Sequence, residues 1–165
     1  YKLLWLADRY QLRCCGRTIT GDTYYAMPYG LVPSDAKCLL ENEPTKLVNE
    51  EGYRDRYLRL GKAHSYTAIC EPDYDEFSES DIEALDKVLA CYGNMKATDL
   101  SAFSHQFPEW IYYRDLLENK DTKNSYRVHI DHFFEPCKAD KKKLFDQSDE
   151  LLALTRELYH QYHRE

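Results

Sequence analysis

The chain has 165 residues, enough for one domain and cramped for two, and a chain of that length can bury about 70% of its unfolded surface without a disulfide or metal staple. With 43% hydrophobic and 31% charged residues the composition is that of a globular protein, so a fibrous or disordered chain is excluded. The net charge of −7 repels phosphate and argues against direct nucleic-acid binding, and no apolar run approaches the roughly 20 residues a membrane span needs.

Residues 2–13, KLLWLADRYQLR, are apolar on more than one face and predict a helix enclosed by neighbours, stopped by Gly16. Next, RTITGDTYYAM holds two β-prone triplets, Thr18–Thr20 and Thr23–Tyr25, around Gly21–Asp22. This predicts a β-hairpin near 17–27 that turns at Gly21–Asp22. PYGLVPS cannot continue a central strand, because Pro28 and Pro33 lack an amide hydrogen. Gly30 relieves the backbone between them, and Ser34 reads as the N-cap of a short helix to about Leu40.

Residues 41–61 are polar and irregular. KAHSYTAIC alternates weakly and predicts a third strand near 63–70. FSESDIEALDKVLACYGNM predicts an amphipathic helix capped by Ser78 or Ser80, with Ser80 and Glu83 spaced as a capping box, and ended by Gly93. Thr98 is expected to cap a short helix before Pro108. SYRVHIDHFFE alternates and predicts a strand near 125–134 paired with the hairpin. A last helix is expected from Lys141, with Leu144, Ser148, Leu151, Thr155, Leu158 and Tyr162 as a two-heptad seam. That seam packs either on the protein's own core or on a second copy, so the oligomeric state stays open. The fold class is α+β: a mainly helical single domain, 1–165, with a small antiparallel sheet.

The sequence has neither a glycine-rich phosphate loop nor a Gly-x-Ser-x-Gly elbow. His129, His132 and Cys137 lie close together, but a strand would turn residues three apart to opposite faces. Cys14–Cys15 is not a Cys-x-x-Cys pair, and His160 and His163 lack a fixed third ligand, so no metal and no cofactor is expected. The six cysteines form no recognisable disulfide framework and read as reduced thiols of a cytoplasmic protein. The basic run Lys138–Lys143 reads as solvated surface. Asp8 and Asp22 lie in apolar stretches. Asp8 either caps a turn or pairs with Arg13 or Arg17, or it serves as a general base, with the first two favoured for want of a companion nucleophile. The chain opens on Tyr1 inside an apolar stretch, so further residues are expected upstream.

Three stretches together resemble the Panacea domain, the SocA-like antitoxin domain. The first, residues 2–34, is similar to K-L-L-Y-x-A-D-x-x-x-L-x-x-x-G-R-x-I-T-G-D-x-Y-x-A-x-x-Y-G-P-V-P-S, with Trp5 for Tyr and Leu31 for Pro. The second is the serine-capped acidic helix ending in Tyr92–Gly93, and the third is LSAFSHQFPEW. The match covers about residues 2–110 and weakens beyond 115. What the resemblance implies is an antitoxin, not an enzyme, which neutralises a cognate protein toxin by direct contact; one branch of the family hands the toxin to a Clp-type protease. It also implies that one helix of the domain is missing at the N-terminus and that 115–165 is more variable. Asp8, Gly16, Arg17, Gly21, Asp22, Gly30, Pro33, Ser34 and His105 match as structural motif residues. Tyr24, Tyr25, Met27, Tyr29 and Trp110 are the candidate toxin contacts, although strand alternation leaves Tyr24 open to core packing. An enzyme built on Asp8, Asp22 and His105 is the competing reading.

Overall fold

The computed structural model describes residues 1–41, 52–62, 65–119 and 123–163. Helix α1 (Lys2–Cys15) forms the axis of the molecule. Its apolar residues point to several sides, and Trp5, Leu6, Ala7 and Leu12 are fully buried. Gly16 ends it in the left-handed conformation, φ 71°, donating its N–H back to Leu12. A Cβ on Gly16 would lie 2.8 Å from the Thr155 carbonyl oxygen, so glycine also sets how closely the C-terminal helix approaches.

Helix α4 (Glu79–Tyr92) packs along α1 through Ala84, Val88 and Tyr92. Its cap is Ser78, whose capping box is closed by Asp81; Ser80–Glu83 is not the box. Asp81 also receives Gln11 and Arg17, which joins the end of α1 to the start of α4. Helix α8 (Asp149–Tyr162) packs on another side of α1, with the Thr155 hydroxyl donating to Arg13 O. It begins eight residues later than the expected Lys141, because Asp140 folds the preceding segment back. The Asp140 carboxylate accepts from Tyr92 OH, from Lys142 N–H and from Phe145 N–H.

The β-structure is small and antiparallel, and the protein is a mainly helical α+β molecule. Strands β1 (Tyr24–Met27) and β2 (Gly30–Pro33) form the hairpin, in the register Tyr24↔Pro33 to Met27↔Gly30. The hairpin turns at Pro28–Tyr29, not at Gly21–Asp22. Thr18–Thr20 cannot join a ladder, because the N–H groups of Ile19 and Thr20 donate to Asp8. Pro33 is tolerated because β2 is an edge strand. Strand β5 (Tyr126–Arg127) pairs with the other side of β1 and is far shorter than the expected 125–134. Ile130–Phe134 is a 3-10 turn, because the carbonyls of Phe133, Phe134 and Glu135 are taken by the Arg13 guanidinium. The expected strand near 63–70 is Tyr66–Ala68, β4. It pairs with β3 (Leu58–Leu60) in a separate two-stranded sheet rather than with the hairpin, and residues 63 and 64 lie outside the described residues.

Three short helices complete the site's surroundings. Helix α2 (Ser34–Glu41) follows β2, α5 (Ala97–Ser104) follows α4, and α6 (Pro108–Ile111) begins with proline at its first turn. Away from the site, α3 (Tyr53–Tyr57) leads into β3 and α7 (Arg114–Glu118) follows α6. Lys96, not Thr98, is the N-cap of α5, and no side chain caps it. Phe107, between α5 and α6, meets Trp5 edge-on at 4.7 Å and Phe103 at 4.9 Å, which anchors both helices on α1.

Candidate docking hairpin

The apolar β1–β2 turn would be loose if its carbonyls faced water. Here side-chain donors hold them. Trp110, on α6, donates its indole N–H to Met27 O at 2.9 Å. The Ser101 hydroxyl, on α5, donates to Tyr29 O at 2.7 Å. The His105 ring engages the Pro28 backbone between them and stacks on Trp110, with centroids 3.9 Å apart. On the far side Lys2 donates to Leu31 O at 2.9 Å. Burial drives the Lys2 ammonium down to about 8. Burial also lowers His105, helped by the charges of Lys2 and Arg114 and opposed by the Pro28 carbonyl, so the ring is held towards its neutral form. Gly30 is required by the same fit: its φ is 101°, and a Cβ there would lie 2.1 Å from the Ser104 hydroxyl.

The base of the hairpin is held by the two embedded aspartates. Asp8 is fully buried and accepts from Ile19 N–H, Thr20 N–H, the Thr20 hydroxyl and Tyr24 OH. Burial pushes its carboxyl up, against the pull of those donors. It therefore caps a turn and pairs with neither Arg13 nor Arg17. Asp22 accepts from Asp35 N–H at 2.9 Å and Ala36 N–H at 2.8 Å, capping α2 from outside the helix. Ser34 is thus the first helical residue, not the cap. Gly21 takes φ 64°, which lets the chain reverse between the two aspartates. Arg17 reaches Ser78 and Asp81 at the head of α4.

The alternation of β1 divides the candidate contacts. Tyr24 and Ala26 point into the core, and Tyr24 is 3% exposed with its hydroxyl on Asp8. Trp110 is 7% exposed. These two support the turn from inside and offer a partner no surface. Tyr25 and Met27 are half-buried on the outer face, beside Val32, and Tyr29 at the tip is 82% exposed. Ser101, which anchors the tip, carries no signal in the sequence beyond its place in the Leu-Ser-x-x-Ser-His element.

The candidate enzyme residues do not form a reactive group. Asp8 and Asp22 are engaged by backbone and hydroxyl donors, and His105 belongs to the turn clamp, not to either aspartate. A cleft of about 610 Å³ lies between the Thr18–Tyr24 segment, residues 127–130 and the end of α8. Its polar lining includes Asp22, already a helix cap, and the exposed His129 and His163. The 3-10 turn brings His129 and His132 to rings 6.2 Å apart, contrary to the strand expectation, but they engage different carboxylates, Asp131 and Glu135. Among the described residues no group of three or more His, Cys, Asp and Glu side chains is placed to hold a metal ion, and no helix is long and apolar enough to cross a membrane.

Residues 1–111 match the family model described as antitoxin SocA-like, Panacea domain. That span covers α1, the hairpin, α4, α5 and α6, and so every group that clamps the turn. No curated protein and no solved structure matches the chain.

Proposed function

The chain belongs to the SocA-like Panacea-domain antitoxin family, and from that membership we propose that it neutralises a cognate protein toxin by direct contact through the outer face of the β1–β2 hairpin. One observation carries this reading. The turn backbone is fixed by Trp110, His105 and Ser101, while Tyr29 at its tip is left 82% exposed. A rigid aromatic side chain loses little conformational freedom on binding, and a central tyrosine contributes about 2 kcal/mol or more to an interface. To outcompete the toxin's own target the complex needs nanomolar affinity, about −12 kcal/mol. The motif aspartates and histidine act in this reading as scaffold, and the protein as a binder rather than a catalyst.

Co-expression with the toxin encoded beside it, followed by growth and by titration of the purified pair, tests the reading. Tyr29→Ala is expected to weaken toxin binding by roughly 30-fold with an unchanged melting temperature, and Tyr25→Ala with Tyr29→Ala to abolish rescue. Full rescue by the double variant overturns the hairpin assignment, and failure of the parent protein to rescue any neighbouring toxin overturns the antitoxin reading itself.

A second reading, delivery of the toxin to a Clp-type protease, rests on α8, which leaves Leu154 54% and Tyr162 82% exposed while Thr155 is buried against α1. In that case toxin half-life shortens only where the protease is present, and Leu154→Ser with Tyr162→Ser restores it without loss of toxin binding.

A further inference from the structure

Two adjoining depressions lie between the C-terminal half of α4 and the loop that leads to α8. One, of about 510 Å³, is lined by Cys91, Met95, Phe103, Lys141 and Lys142 among others; the other, of about 420 Å³, by Tyr10, Lys87, Cys91, Lys142 and Lys143. They share Ala90, Cys91 and Lys142, so they form one groove. Its floor is apolar and its rim basic, with Asp146 as the acidic residue on its edge. It has no lining residue in common with the hairpin.

Lys141, Lys142 and Lys143 are exposed, and none has an ion-pair partner among the described residues. Lys87 differs, since it reaches Glu83 and Tyr10. Asp140 fixes the loop from beneath through Tyr92, Lys142 N–H and Phe145 N–H, so the three ammonium groups are presented from a tied backbone. Lys143 holds φ 56°, and no other non-glycine among the described residues is in the left-handed region. Glycine would fill that position without strain, yet a lysine stands there.

We propose that this groove docks an acidic segment of a partner protein, one that alternates carboxylates with apolar anchors. The carboxylates meet Lys141–Lys143, and the anchors enter the apolar floor between Cys91 and Phe103. Local charge complementarity favours this occupant on a chain that is otherwise acidic. Nucleic acid fits less well, because the net charge of −7 opposes a long polyanion beyond the groove.

The probe is a fluorescent synthetic peptide about five helical turns long, with Glu on one face and Leu on the other, titrated by anisotropy against the whole chain. Expected results are saturable binding, a loss of at least about tenfold on K141E with K142E, and a similar loss when the peptide's Leu residues become Ala. K143G should raise the melting temperature and yet weaken the peptide, a pairing that a merely structural lysine would not produce. No binding overturns the proposal. So does equal binding of the Ala peptide or of a single-stranded DNA oligonucleotide, which would mark a general polyanion patch. Sedimentation that shows self-association abolished by the lysine reversals also overturns it, assigning the groove to a second copy.

Discussion

At the scale of single residues, the motif positions act by taking hydrogen bonds that a turn cannot make for itself. Asp8 satisfies two backbone amides and two hydroxyls, and Asp22 two amides at the start of α2. Trp5, standing where the family resemblance places tyrosine, keeps a polar donor and gives its indole N–H to Glu109 at 3.0 Å. Trp110 does the same for the turn, and its removal can be separated from loss of packing. Trp110→Phe keeps an aromatic ring under His105 but strips the Met27 carbonyl of its donor. The expected cost is about 1–3 kcal/mol of stability, read by denaturant titration, with the loss of protection in amide exchange concentrated at residues 27–30. Gly30→Ala should be worse than a usual surface change, since it adds a positive-φ penalty to a clash with Ser104.

At the scale of elements, α8 is held on α1 by fit and on the 3-10 turn by charge. Gly16 admits the Thr155 backbone, and Asp131 accepts from Arg156 at 2.6 Å and His160 at 3.0 Å while its other oxygen faces His129 at 3.1 Å. Partial burial raises the Asp131 carboxyl, but the His160 and Arg156 hydrogen bonds outweigh it and hold the group below its ordinary value. A depressed carboxylate contributes stability that is complete above its unfolded value of about 4 and is lost as pH falls through the lower folded value. The C-terminal helix is therefore expected to loosen below about pH 4 when followed by hydrogen exchange. In Asp131→Asn that part of the acid dependence should disappear. An unchanged acid limb in the variant would remove Asp131 from this role.

At the scale of the molecule, one buried network ties the pieces together. Arg9 and Glu109 are both fully buried, 2.7 Å apart, and Arg9 also donates to Glu135 O at 2.5 Å, so α1, α6 and the segment after the 3-10 turn share one ion pair. Burial pushes the Glu109 carboxyl up, against the pull of Arg9 and Trp5. Glu109→Gln leaves the guanidinium without its counter-charge and is expected to cost ~3–5 kcal/mol, seen as a cooperative fall in melting temperature. Removing both ends as Arg9→Met with Glu109→Leu should cost much less, and a double variant as damaged as the single one would show that packing, not charge, governs the site.

Periodicity and punctuation in the sequence determined α1 and its glycine stop, the amphipathic α4, a C-terminal helix and the α+β class, because those features depend on neighbours within a turn or two. The family motif marked Asp8, Asp22 and Gly30 without giving the bonds and close fits they make. Tertiary structure alone decided the rest. Asp8 draws the amides of Ile19 and Thr20 out of the predicted strand, and the hairpin moves to Pro28–Tyr29 where Trp110 and Ser101 can hold it. Arg13 does the same to the strand expected through residue 134. The physical reason is common to all of these: a backbone group joins whichever partner is in reach, and partners separated by tens of residues become visible only when the chain is folded.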